Sequence, residues 1–345
     1  MSDPIAIPLA LVPVLAFLAV LRGADVYRLV PARAALRSVA IGSVVAVVAA
    51  LLNGAVREAA GVSLEIMTRY VAPVVEELVK AAWIGWIIRT HRCGFQVDAA
   101  IHGFAVGAGF AVVENVYYLL NVHDAPIVLW VVRGFGTAVM HGGATAIFAI
   151  LFKEIVDRVP DRSAVFGVLP LAIAVTLHAV YNHFPLPPLL GTLVLLVTFP
   201  LLTLAVLVHS ERQTRRWVYT GFDSDAEMLV VLLEGRLPES PLGSYLESMR
   251  RSFPPDVMAD MVAYLQLGLE LSLVAKGTLL AREAGVEVPP DEELREKLDE
   301  FRWLESRLGV AGRRALSPLV QRSAHDVWQI VALDETERGL VGQTR

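Results

Sequence analysis

Two adjacent glutamates and a lysine interrupt an apolar stretch of the sequence between residues 70 and 88. Glu76, Glu77 and Lys80 have apolar residues on both sides. At about 100° per residue along a helix, Glu76 and Lys80 lie one turn apart on one stripe, with Glu77 beside them. Lys80 can therefore offset the charge of either carboxylate. A carboxylate in such a site can act as a general base towards water.

Further polar residues occupy the next three apolar stretches. Glu114 and Asn115 lie in the second half of the first, His141 lies in the middle of the next, and His178 and Asn182 project from one face of the last. Each charged residue at the centre of a membrane helix costs about 2.5–3.5 kcal/mol on insertion scales. These groups are therefore expected to meet in one polar cluster rather than to face lipid.

A structural role is the alternative for several of these residues. Hydrogen bonds and ion pairs between helices stabilise membrane bundles without doing chemistry, and this is the simpler interpretation for a lone Asn or His. Arg133 would offset carboxylate charge in the cluster, but Arg133 and His102 lie near span ends and can equally face the membrane interface. Three carboxylates together with two histidines favour a functional site.

Seven stretches are apolar enough, and near enough to the required 20 or so residues, to cross a membrane as helices. They are 5–21, 38–56, 70–88, 98–120, 126–152, 163–183 and 189–208. Alternate loops carry twelve Lys or Arg on one side and two on the other. The positive-inside rule then predicts an outside N-terminus and a cytoplasmic C-terminus. In the fourth stretch, Gly103, Gly107 and Ala111 predict close approach of another helix.

The composition also indicates a membrane protein followed by a second domain. The 345 residues are 55% hydrophobic and 19% charged, against about 25% charged in soluble domains. Residues 1–210 have a net charge of +1 and residues 211–345 a net charge of −6. We therefore expect an all-α, polytopic membrane domain over 1–210 that carries catalysis, and a soluble helical domain over 211–345 that is regulatory.

Amphipathic runs predict the helices of the second domain. They lie near 225–234, 256–284, 291–308 and 311–333. The run 256–284 is apolar enough for an eighth span, but its repeated charged residues favour a helix in a soluble core. Basic residues cluster beside the spans without aromatic neighbours, which argues against nucleic-acid binding. The single cysteine, Cys93, excludes an internal disulfide and a cysteine-based metal cage.

Known routes of peptide hydrolysis inside membranes narrow the chemistry. The spans contain no H-E-x-x-H zinc motif, no pair of mid-span aspartates and no serine in a G-x-S-G turn. What remains is a glutamate that activates water as general base with the help of a histidine, and a polar side chain such as Asn182 to stabilise the oxyanion. A zinc site formed by His141, His178 and a glutamate such as Glu114 stays open beside a metal-free mechanism.

Four motifs in this order resemble those of the PrsW intramembrane proteases. They are Glu-Glu-Leu-Val-Lys at 76–80, Phe110-x-x-x-Glu114-Asn115, the mid-span His141 and His178-x-x-x-Asn182. That family is similar to the CAAX-prenyl-protease and bacteriocin-processing superfamily, which uses a Glu-Glu motif with histidines on neighbouring helices. The resemblance covers roughly residues 70–183 and, weakly, 38–208.

The resemblance implies a role for each matching residue. Glu76 and Glu77 would include the base, and His141 and His178 would orient water or the scissile carbonyl. Glu114 and Asn182 would complete the site, with Lys80 and Asn115 in support. It favours a metal-free mechanism, a membrane-anchored protein substrate such as an anti-sigma factor, and a multi-pass protein of the plasma or inner membrane.

Two other functions fit the same residues. Proton-coupled transporters also use intramembrane Glu and His, although the chain shows no inverted repeat and no pair of broken helices. A non-catalytic anchor or receptor would serve mainly to hold the cytoplasmic domain, whose partner the sequence does not identify.

Overall fold

The computed structural model describes residues 4–234, 240–286, 292–316, 328–330 and 332–333. These residues form helices joined by short connections, and no strand occurs among them. The chain divides into two compact units, Met1–Glu211 and Arg212–Arg345. The all-α architecture expected from the sequence is thereby confirmed.

Ten α-helices begin among the described residues of the first unit. They are α1 (Ala6–Gly23), α2 (Ala32–Ala60), α3 (Leu64–Ile66), α4 (Ala72–Arg89), α5 (Gln96–Asn121), α6 (Ile127–Val131), α7 (Ala138–Arg158), α8 (Ser163–Phe166), α9 (Val168–Asn182) and α10 (Pro188–Leu233). π-helical turns at Met67–Val71 and Val132–Thr137 join α3 to α4 and α6 to α7. Such turns often lie near functional sites, and here each precedes a helix that carries predicted site residues.

Six of the predicted spans coincide with described helices that are long and apolar enough to cross a membrane. The exception is the third, α4, which falls outside those limits because Glu76, Glu77, Lys80 and Arg89 interrupt its 18 residues. A helix with these charges needs protein partners on its polar side. The polytopic bundle is confirmed, and α4 is the predicted span that carries four charged residues in 18.

Small residues allow α5 to lie close to its neighbours. A Cβ on Gly103 would lie 2.8 Å from the Thr145 carbonyl oxygen of α7, and a Cβ on Gly107 would overlap the His141 carbonyl. The predicted small-residue face is therefore confirmed, with α7 as the helix that packs on it. Because this contact involves the backbone of His141, it also fixes the position of His141 relative to α5.

Asp98 fixes the start of α5. Its buried carboxylate accepts hydrogen bonds from the backbone N–H groups of Gly94 at 2.7 Å and Phe95 at 2.8 Å. Donors at a helix start have no partner within the helix, so a carboxylate there stabilises it. This anchors the helix whose second half carries Glu114.

The second unit is built from the end of α10 together with α11 (Pro241–Met249), α12 (Pro255–Glu283) and α13 (Glu292–Leu316). Its core contains Met261, Leu271, Leu298 and Phe301. By length and hydropathy α12 also qualifies as a membrane span. Its apolar side chains, however, are buried against other helices of the same unit, as expected for a core helix.

One predicted boundary differs from the structure and another agrees with it. The sequence predicted a span ending at 208 and a separate helix near 225–234, but α10 runs without interruption from Pro188 to Leu233. The charged residues after 210 are mostly good helix formers, so they change the polarity of the helix without ending it. The predicted break between the helices 291–308 and 311–333 coincides with Gly309, where the backbone of α13 is not helical. The end of the second predicted helix lies outside the described residues.

Candidate active site

The charged residues of α4 differ in their exposure. The side chains of Lys80 and Glu77 are 0% and 1% exposed, and Lys80 Nζ donates a hydrogen bond to Glu77 Oε1 at 2.8 Å. The Glu76 side chain is 15% exposed. A buried ion pair is tolerated when further hydrogen bonds satisfy both partners. Glu77 and Lys80 thus form a paired centre, and Glu76 lies beside it.

His178 of α9 connects the two glutamates. Its Nδ1 lies 2.9 Å from Glu77 Oε1, the oxygen that also accepts from Lys80. An ionised carboxylate only accepts hydrogen bonds, so Nδ1 carries the proton and donates. The lone pair of the neutral ring is then on Nε2, which lies 3.9 Å from Glu76 Oε2.

His141 of α7 is held from both sides. Its Nδ1 lies 3.0 Å from Lys80 Nζ, and its Nε2 lies 2.9 Å from Glu114 Oε2. An ammonium group only donates, so Nδ1 accepts and Nε2–H donates to Glu114. The imidazoles of His141 and His178 meet edge to face with ring centroids 4.7 Å apart. Each of the two histidines therefore donates its ring N–H to a carboxylate.

Arg133 belongs to this network, and the alternative that it faces the interface is wrong. It is 7% exposed, its Nη2 lies 3.2 Å from Glu114 Oε1, and its Nε donates to Asn115 Oδ1 at 2.9 Å. Asn115 in turn donates to the carbonyl of Ala10 at 2.7 Å. Asn115 thus positions Arg133, and Arg133 positions the carboxylate that holds His141. His102 lies outside the network and contacts Ser38 Oγ at 2.8 Å.

Asn182 does not reach the cluster through any hydrogen bond among the described residues. Its Nδ2 donates to the carbonyl of Thr68 at 3.0 Å, in the π-helical turn that precedes α4. The i,i+4 spacing places Asn182 on the face of His178, but one turn along the helix is enough to give it different partners. Its role as an oxyanion stabiliser stays a prediction.

Asn53 of α2 is a member of the site that the sequence analysis missed. Its Nδ2 donates to Glu76 Oε1 at 3.1 Å, and its buried Oδ1 has no hydrogen-bond partner among the residues that the structure describes. A single asparagine near the end of an apolar span gives little signal, because such residues are often only packing partners.

Glu76, His141 and His178 form a donor set suited to a cation. Each offers one ligand atom, and these atoms lie within 4.8 Å of one another. Two imidazoles and a carboxylate are typical of a catalytic zinc site with an open position. Carboxylates that hold the other ring nitrogen, as Glu77 and Glu114 do here, are typical second partners of metal-binding histidines. The set differs from the predicted one, because Glu76 takes the place of Glu114.

One protein family matches just over half of the chain. The profile of the PrsW family intramembrane metalloproteases matches residues 30–208. The chain belongs to the PrsW family. No curated protein and no solved structure matches it. The range shared with the PrsW family contains every residue of the cluster described above, and membership makes the chain a multi-pass intramembrane protease.

The PrsW description also bears on the cofactor. The motif resemblance favoured a metal-free mechanism, whereas the family is described as metalloproteases. The donor set of Glu76, His141 and His178 is compatible with that description.

Proposed function

We propose that this chain hydrolyses a peptide bond in the membrane-spanning segment of an anchored protein, with Glu76 as the reactive carboxylate. The observation that supports this most is the grouping of Glu76, His141 and His178, whose ligand atoms lie within 4.8 Å of one another. Family membership favours hydrolysis over the transporter and anchor alternatives.

The contacts of the two glutamates separate their roles. Glu77 is 1% exposed, and one of its oxygens accepts from both Lys80 and His178. A carboxylate held by a buried ammonium is a poor proton acceptor. Glu76 is more exposed, and the hydrogen bond described for it comes from the neutral amide of Asn53. Glu76 is therefore the better base, and Glu77 positions His178.

In a metal-free reaction Glu76 can serve first as proton acceptor and then as proton donor. Water attacks the scissile carbonyl carbon, and the Glu76 carboxylate accepts the proton that the water gives up. The carbon–nitrogen bond then breaks, and the proton passes from Glu76 to the leaving amine. A carboxylate has two oxygens, so Oε1 can stay with Asn53 while Oε2 faces the histidines.

A metal would be held by Glu76, His141 and His178, and Glu76 would then be a ligand and not the base. When bound, a divalent cation such as zinc supplies Lewis acidity at the reacting carbonyl. Glu77 and Glu114 fix the ring orientations of the two histidines from the opposite side. His141 Nδ1 lies 3.0 Å from Lys80 Nζ, so a cation held through this nitrogen would compete with Lys80 for it.

The substrate class and the membrane are inferred from the family resemblance. We infer that the substrate is a single-span anchored protein of the anti-sigma-factor class and that the enzyme resides in the plasma or inner membrane. We infer a regulatory role for residues 212–345, since the family match ends at residue 208 and the cluster lies wholly before it.

Reconstitution tests the proposed function. The purified chain in proteoliposomes is incubated with a single-span substrate, and mass spectrometry locates the cut. We expect cleavage within the span by the wild type and none by Glu76→Gln. Glu65→Gln is a matched control, because the Glu65 side chain is 68% exposed and pairs only with Arg69 among the side-chain contacts described. Equal cleavage by the wild type and Glu76→Gln would show that Glu76 is not the base.

A further inference from the structure

Of the two polar groups of the Asn53 amide, only the NH₂ group makes a hydrogen bond within the described part of the chain. Nδ2 donates to Glu76 Oε1 at 3.1 Å, while Oδ1 is buried and accepts no hydrogen bond. The NH₂ group of the amide faces Glu76, which is the orientation that an ionised carboxylate requires, because it only accepts hydrogen bonds. Since both atoms are bonded to one carbon, the unpaired oxygen necessarily lies beside the reactive carboxylate.

An unpaired carbonyl oxygen buried in a protein is unfavourable unless a donor reaches it. Among the residues that the structure describes, the buried donors without a hydrogen bond are Trp83 Nε1, Arg133 Nη2 and the Tyr181 hydroxyl. Trp83 lies almost two turns from Glu76 along α4, Arg133 Nη2 is paired with Glu114, and the Tyr181 hydroxyl lies beside Gly136. The donor for Asn53 is therefore best sought in the substrate.

A membrane-spanning substrate supplies such a donor when it is cleaved. A helix in lipid satisfies its backbone groups internally, and hydrolysis requires a local extended segment in which attack on the carbonyl is possible. Unwinding frees backbone N–H groups that find no water in the hydrocarbon region. An enzyme of this kind needs acceptors close to the reactive carboxylate.

We propose that Asn53 has two tasks: Nδ2 positions Glu76, and Oδ1 accepts one main-chain N–H of the substrate near the scissile bond. This inference rests on the proposed function. Asn53 lies on α2, outside the four helices that carry the motifs. It would place the unwound segment between α2 and the cluster, where it selects substrates by their ability to expose that N–H.

Ester scanning of the substrate tests the second task. A synthetic single-span peptide is prepared in a series in which one amide near the scissile bond, but not the scissile bond itself, is replaced by an ester that lacks the N–H. With wild-type enzyme, one ester is expected to lower kcat/KM by about 3- to 10-fold. With Asn53→Leu, the same ester should cause no further loss, because the acceptor is already gone.

Two variants separate the tasks and provide the control. Asn53→Asp keeps an acceptor oxygen and loses the donor to Glu76, so kcat should fall while the ester effect persists. Asn121→Leu removes an exposed asparagine whose Nδ2 donates to the Tyr117 carbonyl, and both activity and the ester effect should stay as in the wild type. If Asn53→Leu does not fold, Asn53→Asp still tests whether the amide positions Glu76.

The outcomes are distinct from those of the function test. If the wild type cleaves and no ester position depends on Asn53, the substrate contact is wrong and the protease function stands. If Asn53→Asp also leaves kcat unchanged, the positioning task is wrong as well. If the wild type cleaves no spanning substrate, the proposed function fails and this inference fails with it.

Discussion

His178 and Glu77 are joined by a hydrogen bond of 2.9 Å between Nδ1 and Oε1, and this oxygen also accepts from Lys80. The bond leaves His178 Nε2 as the ring atom that faces Glu76, at 3.9 Å from Oε2. Glu77 therefore orients His178 so that its Nε2 faces Glu76. The two neighbours in sequence have different tasks in space.

Substitution of the two glutamates should separate these tasks. Glu76→Gln removes the base, and general-base catalysis contributes about 10²–10⁴-fold, so cleavage should fall by at least about 100-fold with the fold intact. Glu77→Gln leaves Lys80 buried without its counter-charge, which should lower the free energy of unfolding by about 3–5 kcal/mol as well as reduce activity. Cleavage assays and denaturant unfolding in detergent measure both. A stable, active Glu77→Gln variant would contradict the assignment.

Lys80 should be required for stability only while Glu77 is charged. Lys80→Met leaves a buried carboxylate with His178 as its remaining described partner, and we expect a loss of about 3–5 kcal/mol. The double variant Lys80→Met/Glu77→Gln should recover much of that loss, because neither charge is then unpaired. Unfolding of the four forms gives the coupling energy.

The exposed pair of Glu65 and Arg69 is the control for this cycle. Their side chains are 68% and 41% exposed, so removal of either should change stability by less than about 1 kcal/mol. If the cycle for Lys80 and Glu77 gives a coupling as small as that of the exposed pair, the buried contact does not hold α4 in place.

Metal affinity should distinguish a ligand from a residue that positions one. Glu76→Gln, His141→Ala and His178→Ala each remove a donor and should abolish zinc binding in equilibrium dialysis. Glu114→Gln removes only the carboxylate that accepts from His141, and loss of a group that orients a metal ligand typically weakens metal binding by about 10–100-fold. Treatment with a chelator should abolish cleavage, and added zinc should restore it. Abolition of binding by Glu114→Gln but not by Glu76→Gln would instead make Glu114 the ligand, as the sequence suggested.

Much of the cluster could be predicted from the sequence, because charged side chains inside a membrane are unfavourable unless they meet polar partners. The cost of burying Glu76, Glu77, Lys80 and Glu114 in spans requires that they meet polar partners. The structure brings these residues together with His141. Helical periodicity indicates which residues of α4 share a face, and the cost of burial indicates that charged groups of the other helices join them.

Contacts between helices could not be predicted from the sequence, because they depend on how each helix is rotated and how far it is shifted along its neighbour. Asn53 and Arg133 were missed or misjudged for this reason, as each finds its partner on another helix. Asn182 shows the converse: it shares a face with His178 but extends beyond the cluster to Thr68. The third ligand of the donor set changed from Glu114 to Glu76 for the same reason.

The close contact of α5 with α7 gives a last prediction. A methyl group on Gly107 would overlap the backbone of His141, so Gly107→Ala should force the helices apart, cost about 1–3 kcal/mol and lower cleavage by displacing the histidine. Gly54→Ala is the matched control, since nothing lies within 4 Å of a Cβ there and alanine favours the helix. Unfolding and cleavage are measured for both. Equal stability of the two variants would mean that α5 and α7 can separate without disturbing His141.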